Sequence, residues 1–267
     1  MDDLTKLEQT SIYILREAYH KYREKMGLLW SIGKDSTTLL WLARKAFLGR
    51  IPVPVIHIDT SYKFKEIYEF RELYAKKWSL NLSIAKNERA LTAGMNHKIG
   101  RFECCHALKT EALKMALHQY DLKALILAIR RDEHGIRSKE RYFSPRNENF
   151  QWNYQGQKPE LWNLYGTNHK EKEHIRVHPM LDWTERDIWK YIEREKIPVN
   201  SLYFSKEGKR YRSIGCKTCC DPVASPAGSL KKIIAELEVT TISERSGRAQ
   251  DKEDTYNMQK LRSLGYM

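Results

Sequence analysis

Residues 28–47 read Leu28-Leu29-Trp30-Ser31-Ile32-Gly33-Lys34-Asp35-Ser36-Thr37-Thr38-Leu39-Leu40-Trp41-Leu42-Ala43-Arg44-Lys45-Ala46-Phe47. A short apolar run of strand character passes through Ser31 to Ser36 and continues with Leu39, Leu40, Ala43, Ala46 and Phe47 at helical spacing. Strand, tight loop and helix in that order suit a phosphate group. Gly33 lets the backbone approach, and the first-turn N–H groups of the helix point at the anion with the helix dipole behind them. Lys34 adds a mobile positive charge, and the hydroxyls of Ser31 and Ser36 can donate to phosphate oxygens. The Gly-x-x-x-x-Gly-Lys-Ser/Thr spacing of a Walker A loop is missing.

Outward from this loop, apolar strand-like runs alternate with amphipathic segments. Ile12, Leu15, Ala18, Tyr19 and Tyr22 share a helical face before the loop. Val53 to Ile58 predicts a buried second strand ending in Asp59-Thr60-Ser61, Phe64 to Trp78 a helix, and Leu80 to Ile84 a third strand. Leu108 to Tyr120 predicts another helix, Ala124 to Ile129 a fourth strand, and Ile175 to Val177 a last one. The alternation predicts an α/β doubly wound, mostly parallel sheet with right-handed crossovers and the first strand central. Ligands of such sheets bind across the C-terminal strand edges. Asp59 therefore becomes a candidate for the ribose, adenine or magnesium side of a nucleotide, with capping of the next helix as its structural role. Arg130, Arg131 and Arg137, directly after strand four, are candidates to neutralise phosphate, pyrophosphate or sulfate. Residues 1–182 are expected to form the nucleotide-binding domain. Residues 183–267 then make a smaller helical and irregular region, opened by a capping-box-like Thr184-Glu185-Arg186-Asp187. Tyr142 to Lys172 is polar, aromatic and weakly periodic, Ser205 to Ser213 reads as a polar basic loop, and Ser243 to Arg248 as a basic tail.

At 267 residues the chain can bury a good core. Its start is too charged for a secretory signal and no apolar run approaches a membrane span, so a cytoplasmic protein without a membrane partner is expected. A formal net charge of +13 favours an acidic partner, with nucleotide, nucleic acid and acidic protein all open.

The loop Ser31 to Ser36 resembles the Ser-Gly-Gly-Lys-Asp-Ser loop of the ATP pyrophosphatases, or PP-loop enzymes, with Ile32 where most of that class has Gly. The match extends through His57-Ile58-Asp59-Thr60, Tyr68-Glu69-Phe70-Arg71, Arg130-Arg131-Asp132-Glu133, Gln151-Trp152, Pro159 to Tyr165, Asn200 to Phe204 and Thr241 to Asp251. These stretches look like the small subunit of sulfate adenylyltransferase, within the phosphoadenylylsulfate reductase-like group. The resemblance implies an adenine nucleotide alpha hydrolase-like fold and cleavage of ATP, with Mg2+, between its α and β phosphates. Together with the position of these segments at the C-terminal strand edges, it points to Lys34, Asp35, Arg130 and Arg131 at the chemistry, and to Ser31, Ile32, Gly33, Ser36, Asp59 and Arg137 around the nucleotide.

The cysteines depart from that subunit. Cys104-Cys105 and the distant Cys216-Lys217-Thr218-Cys219 offer four soft thiolates, the ligand set of a 4Fe-4S cluster or an all-cysteine zinc site. The pattern resembles that of iron–sulfur adenylylsulfate reductases, whose further C-terminal nucleophilic Cys this chain lacks. Cys220, beside Lys206, Lys209, Arg210 and Arg212 in sequence, is the thiol left over to carry sulfur. The expected activity is ATP pyrophosphate cleavage that activates an acceptor for sulfur transfer, foremost sulfur insertion into the DNA backbone. A cysteine desulfurase and a DNA-modification complex are the partners that follow, and a homodimer is left open. The alternatives are a sulfate adenylyltransferase subunit, a reductase of its product, or a nucleotide-sensing scaffold for a desulfurase or GTPase.

Overall fold

The structure, a computed structural model, describes residues 2–167, 173–249, 260, 261 and 263–265. Residues 168–172 of the polar aromatic stretch lie outside the described residues. So do 250–251 of the C-terminal match and 262, 266 and 267 of the cysteine-free terminus.

The apolar runs pair into one sheet. Its strands are β1 (Met26–Leu29), β2 (Val55–Ile58), β3 (Leu82–Ala85), β4 (Ala124–Ile126), β5 (Phe143–Arg146) and β6 (His174–Val177), in the order β3-β2-β1-β4-β6-β5. Leu28 pairs with Val55 on one side of β1 and with Ile126 on the other, both in parallel. The first strand is thus central, as the alternation of strands and helices implied. Every residue of β1, β2, β4 and β6 is buried, which a parallel sheet covered on both faces requires. Alternate residues go to opposite faces. Leu28, Val55, Ala124 and Ile126 join one apolar core, whereas Leu29, Ile56, Ile58 and Leu125 join another. Each fully buried Val, Leu or Ile side chain contributes about 1.5–3 kcal/mol.

The first core is closed by α1 (Asp3–Tyr22), α2 (Lys34–Ala46) and α3 (Lys65–Lys77). Two short helices follow, α4 (Glu88–Thr92) and α5 (Arg101–Cys105), and a π-helical stretch His106–Glu111 joins α5 to α6 (Ala112–Gln119), which covers the second core. Helices α7 (Glu185–Glu195) and α8 (Leu230–Val239) return to the first core through Ile188, Trp189, Ile192 and Ile233. The Asp2 carboxylate caps α1 by accepting from Thr5 N at 2.7 Å. The capping box of α7 forms in full, with Thr184 and Asp187 satisfying each other's backbone N–H. No helix among the described residues is long and apolar enough to cross a membrane.

Three elements differ from the sequence expectation. Strand β5 lies inside the stretch read as weakly periodic; it runs antiparallel to β6 at the sheet edge, where Pro145 is tolerated because one side of the strand needs no ladder. Cys104 and Cys105 belong to α5 and do not merely precede the next helix. The basic loop after Ser205 holds a short strand, β7 (Lys209–Arg210), paired with β8 (Val223–Ala224).

Candidate functional site

The C-terminal ends of β1, β2 and β4 open onto a cavity of about 160 Å³. Its walls are Trp30, Ser31 and Gly33 to Ser36 from the β1–α2 turn, Ile58 and Lys63 after β2, and Leu127 to Ile129 after β4. Lys109, Glu133, Arg137, Tyr203, Ser213 to Gly215, Arg245 and Arg248 complete it. Parallel strands bring their following loops to one edge, so residues far apart in sequence meet there.

Within the loop, Ser31 Oγ and Ser36 Oγ are 3.0 Å apart, and Ser36 Oγ donates to Gly33 O at 3.1 Å. Gly33 caps α2 in an extended conformation, φ −75°. The left-handed residue is instead Ile32, φ 68°, whose side chain is buried in the first core. A β-branched residue at positive φ carries about 1–3 kcal/mol of local strain. Burial of the isoleucine side chain offsets it. Lys34 N, expected to be free for an anion, donates to the Tyr203 hydroxyl at 2.8 Å.

Lys34 and Arg130 meet at the loop. Lys34 Nζ donates to Asp35 Oδ2 at 3.2 Å and to Glu244. Arg130 donates to Asp132 at 2.9 Å, to Asp35 and to Glu244. Burial works against the Glu244 charge, yet Arg130 and Lys34 outweigh it and hold this carboxyl far below the usual range. Arg137 pairs with Glu133, which also accepts from Arg245 at 3.0 Å.

Two candidates from the sequence are not brought into this cluster. Arg131 turns away to Asp182 and lies over the Tyr142 ring. Asp59 organises the turn after β2, accepting from Ser61 N at 2.8 Å and Tyr68 Oη at 3.0 Å, and is not among the cavity walls.

All five cysteines are buried and none is in a disulfide among the described residues. Cys104 interacts electrostatically with Cys105, Cys216 and Cys219, and burial pushes its thiol up to about 12. Cys216 is close to Lys63, Lys109 and the Thr60 hydroxyl, whose Oγ1 lies 3.2 Å from its sulfur. Against the opposing effect of burial, these groups bring the Cys216 thiol down to about 7. The four expected ligands, Cys104, Cys105, Cys216 and Cys219, therefore share one region. Among the described residues, however, no three His, Cys, Asp or Glu side chains are placed to hold a metal ion. The donor set fits a soft metal in chemistry, but its thiols, carried on α5 and on the separate 216–219 turn, do not close on a common centre. The cation at Cys220 is Arg248, which donates to its sulfur at 3.0 Å, to Ser213 Oγ at 3.0 Å and to Ile214 O at 2.7 Å. Arg210 and Arg212, expected to serve Cys220, pair with Glu236 and Glu185 instead.

Sequence reasoning passed over Lys63, Lys109, Tyr203, Glu244, Arg245 and Arg248. The basic tail was visible, but nothing in its periodicity tied it to the loop at Lys34.

The chain matches the phosphoadenosine phosphosulfate reductase domain over residues 25–222. It is 39% identical to sulfate adenylyltransferase subunit 2 of Psychromonas ingrahamii, across 98% of this chain and 97% of that protein. The same identity and coverage hold for sulfate adenylyltransferase subunit 2 of Aliivibrio fischeri. Among solved structures, it resembles Candida glabrata FMN adenylyltransferase in complex with FAD and inorganic pyrophosphate, with a TM-score of 0.58 at 19% identity, covering 82% of this chain and 64% of that one. It also resembles phosphoadenylyl-sulfate reductase of Candida auris in a phosphate complex, with a TM-score of 0.55 at 17% identity over 84% and 98% of the two chains. These structures share the doubly wound fold; their identity is too low to carry more.

Proposed function

The chain belongs to the phosphoadenosine phosphosulfate reductase domain family, among its members called sulfate adenylyltransferase subunit 2, and from that premise we propose that it transfers the adenylyl group of ATP to sulfate. The observation that carries this reading is the convergence of Lys34, Lys63, Lys109, Arg137, Arg245 and Arg248 on one cavity at the C-terminal sheet edge. In the reaction a sulfate oxygen attacks the α-phosphorus, the bond to the β-phosphate oxygen breaks, and pyrophosphate leaves with the electron pair. Two anions must be held together and a third charge accommodated on the leaving group, which is work for fixed cations in a site of low dielectric.

Ser31 and Gly33 to Ser36 receive the phosphates in this reading, and Lys34 with Arg130 faces the leaving pyrophosphate. Asp35 holds those two cations in place, and Arg137 reaches the site through Glu133. Magnesium enters with ATP, and no protein ligand is assigned to it. The relatives' designation as subunit 2 implies a second, different subunit, and a chain of formal charge +13 suits a partner with an acidic face. The test is sulfate-dependent exchange of labelled pyrophosphate into ATP, which Lys34→Ala should slow by about a hundredfold or more. Exchange that ignores sulfate would refute the acceptor.

A second reading is favoured by the gathering of cysteines beside the same cavity. The adenylated oxygen would then belong to a nucleic-acid phosphate: a persulfide on Cys220, charged by a cysteine desulfurase, would attack that phosphorus and expel AMP. An external thiol would cleave the S–S bond, forming a mixed disulfide with Cys220 and releasing the phosphorothioate. AMP formation that requires DNA, together with a persulfide on Cys220 after incubation with a cysteine desulfurase and cysteine, would move the assignment there.

A further inference from the structure

We propose that Glu244 is a displaceable carboxylate that fills the pyrophosphate subsite and withdraws from Lys34 and Arg130 when the β- and γ-phosphates enter. This rests on the adenylyl-transfer reading and concerns how its cations are kept before ATP arrives.

Arg130 is 0% and Lys34 1% exposed. Each guanidinium nitrogen of Arg130 is taken by a carboxylate: Nε by Asp132, Nη1 by Asp35 and Nη2 by Glu244. Lys34 Nζ is shared between Asp35 and Glu244. Two formal positive charges thus face three formal negative ones. A phosphate arriving at Lys34 and Arg130 would find every charged nitrogen of the pair already engaged by a carboxylate, and like charges in contact at low dielectric are strongly unfavourable. For either cation to serve pyrophosphate, one carboxylate has to leave.

The three carboxylates are not equally free to do so. Asp35 sits on α2 next to Lys34, and Asp132 accepts a second bond, from Glu185 N at 2.8 Å, that ties it to the start of α7. Glu244 comes from a single turn, Glu244–Gly247, 210 positions from Lys34 and 114 from Arg130. Among the described residues its carboxylate bonds to these two cations and to no other group. Phosphate oxygens would replace both bonds in kind, so the exchange of one anion for another leaves the cations paired throughout. Arg245 and Arg248, on the same turn and just after it, already line the cavity. Withdrawal of Glu244 would therefore leave a wall of guanidinium groups around the incoming phosphates.

Pyrophosphate binding by calorimetry tests this without turnover. Glu244→Gln removes the competing charge and should bind pyrophosphate at least about tenfold more tightly than the wild type. Equal or weaker binding by a variant that melts as cooperatively as the wild type would overturn the proposal, as would no binding by either protein. Should the variant not fold, a crystal structure of the wild-type protein with pyrophosphate decides: phosphate oxygens on Lys34 Nζ and Arg130 with Glu244 withdrawn support it, and Glu244 still bonded to both cations refutes it. Failure of the adenylyl-transfer reading has a separate signature, bound pyrophosphate without sulfate-dependent exchange into ATP.

Discussion

The backbone N–H of Lys34 and the hydroxyl of Tyr203, 169 positions apart, are joined by a 2.8 Å hydrogen bond at the first turn of α2. Tyr203 is 2% exposed, so no solvent stands ready to replace its oxygen. Tyr203→Phe should lower unfolding free energy by about 1–3 kcal/mol, the cost of a buried donor left unpaired. Urea denaturation of the two proteins measures it, and an unchanged midpoint would mean that the N–H has another acceptor.

Lys34→Ala and Arg131→Ala should part company in a pyrophosphate-exchange assay. Lys34 lines the cavity, and loss of one such transition-state donor typically costs about a hundredfold to a thousandfold in rate. Arg131 is committed to Asp182 and Tyr142 outside the cavity, so its variant should stay near wild type.

Gly247 lies where a Cβ would fall 2.5 Å from the backbone oxygen of Asp221. Backbone cannot swing aside as a flexible side chain can. Gly247→Ala should therefore cost about 1–3 kcal/mol by overpacking and, by shifting the turn that carries Glu244 and Arg245, reduce exchange activity as well. Thermal melting and the exchange assay on one preparation check both.

Arg248 uses its fork on three acceptors, Ser213 Oγ, Ile214 O and Cys220 Sγ. Arg248→Lys keeps the charge but loses the planar geometry. A destabilisation of about 1 kcal/mol is expected in denaturant titration, because partly buried acceptors are left without donors.

His57 gives a pH signature. Its Nδ1 lies 2.9 Å from Trp30 O, and burial holds the imidazole down to about 3. The imidazole of the unfolded chain takes up a proton near pH 6.5 while the folded one stays neutral, so unfolding binds a proton below that pH. Its contribution to stability therefore declines as pH falls from about 6.5 towards about 3, by up to about 1.4 kcal/mol per pH unit. In melts at pH 7, 6 and 5, His57→Gln should show a shallower decline than the wild type.

Much of the scaffold was legible in the sequence. Five apolar runs, most of them separated by amphipathic segments, specify parallel strands and covering helices, because burial on both faces imposes a pattern that polar or irregular segments cannot meet. The turn at Ser31 to Ser36 and the capping box at Thr184 are local devices, built from neighbours in sequence, and both stand where the residues placed them. Strand β5 was hidden because Pro145 breaks the pattern, and only an edge position makes it permissible.

The interior of the site was decided by tertiary structure. Periodicity reports which face of an element is buried, and carries no information about which distant loop will face it. Glu244 reaches Lys34 across 210 positions, and Arg248 reaches Cys220 across 28. Arg130 and Arg131, adjacent and alike in sequence, part in the irregular segment after β4, one bonding into the cluster at Lys34 and the other to Asp182. Residue types named the chemistry available to this chain, and packing chose which of them stand together.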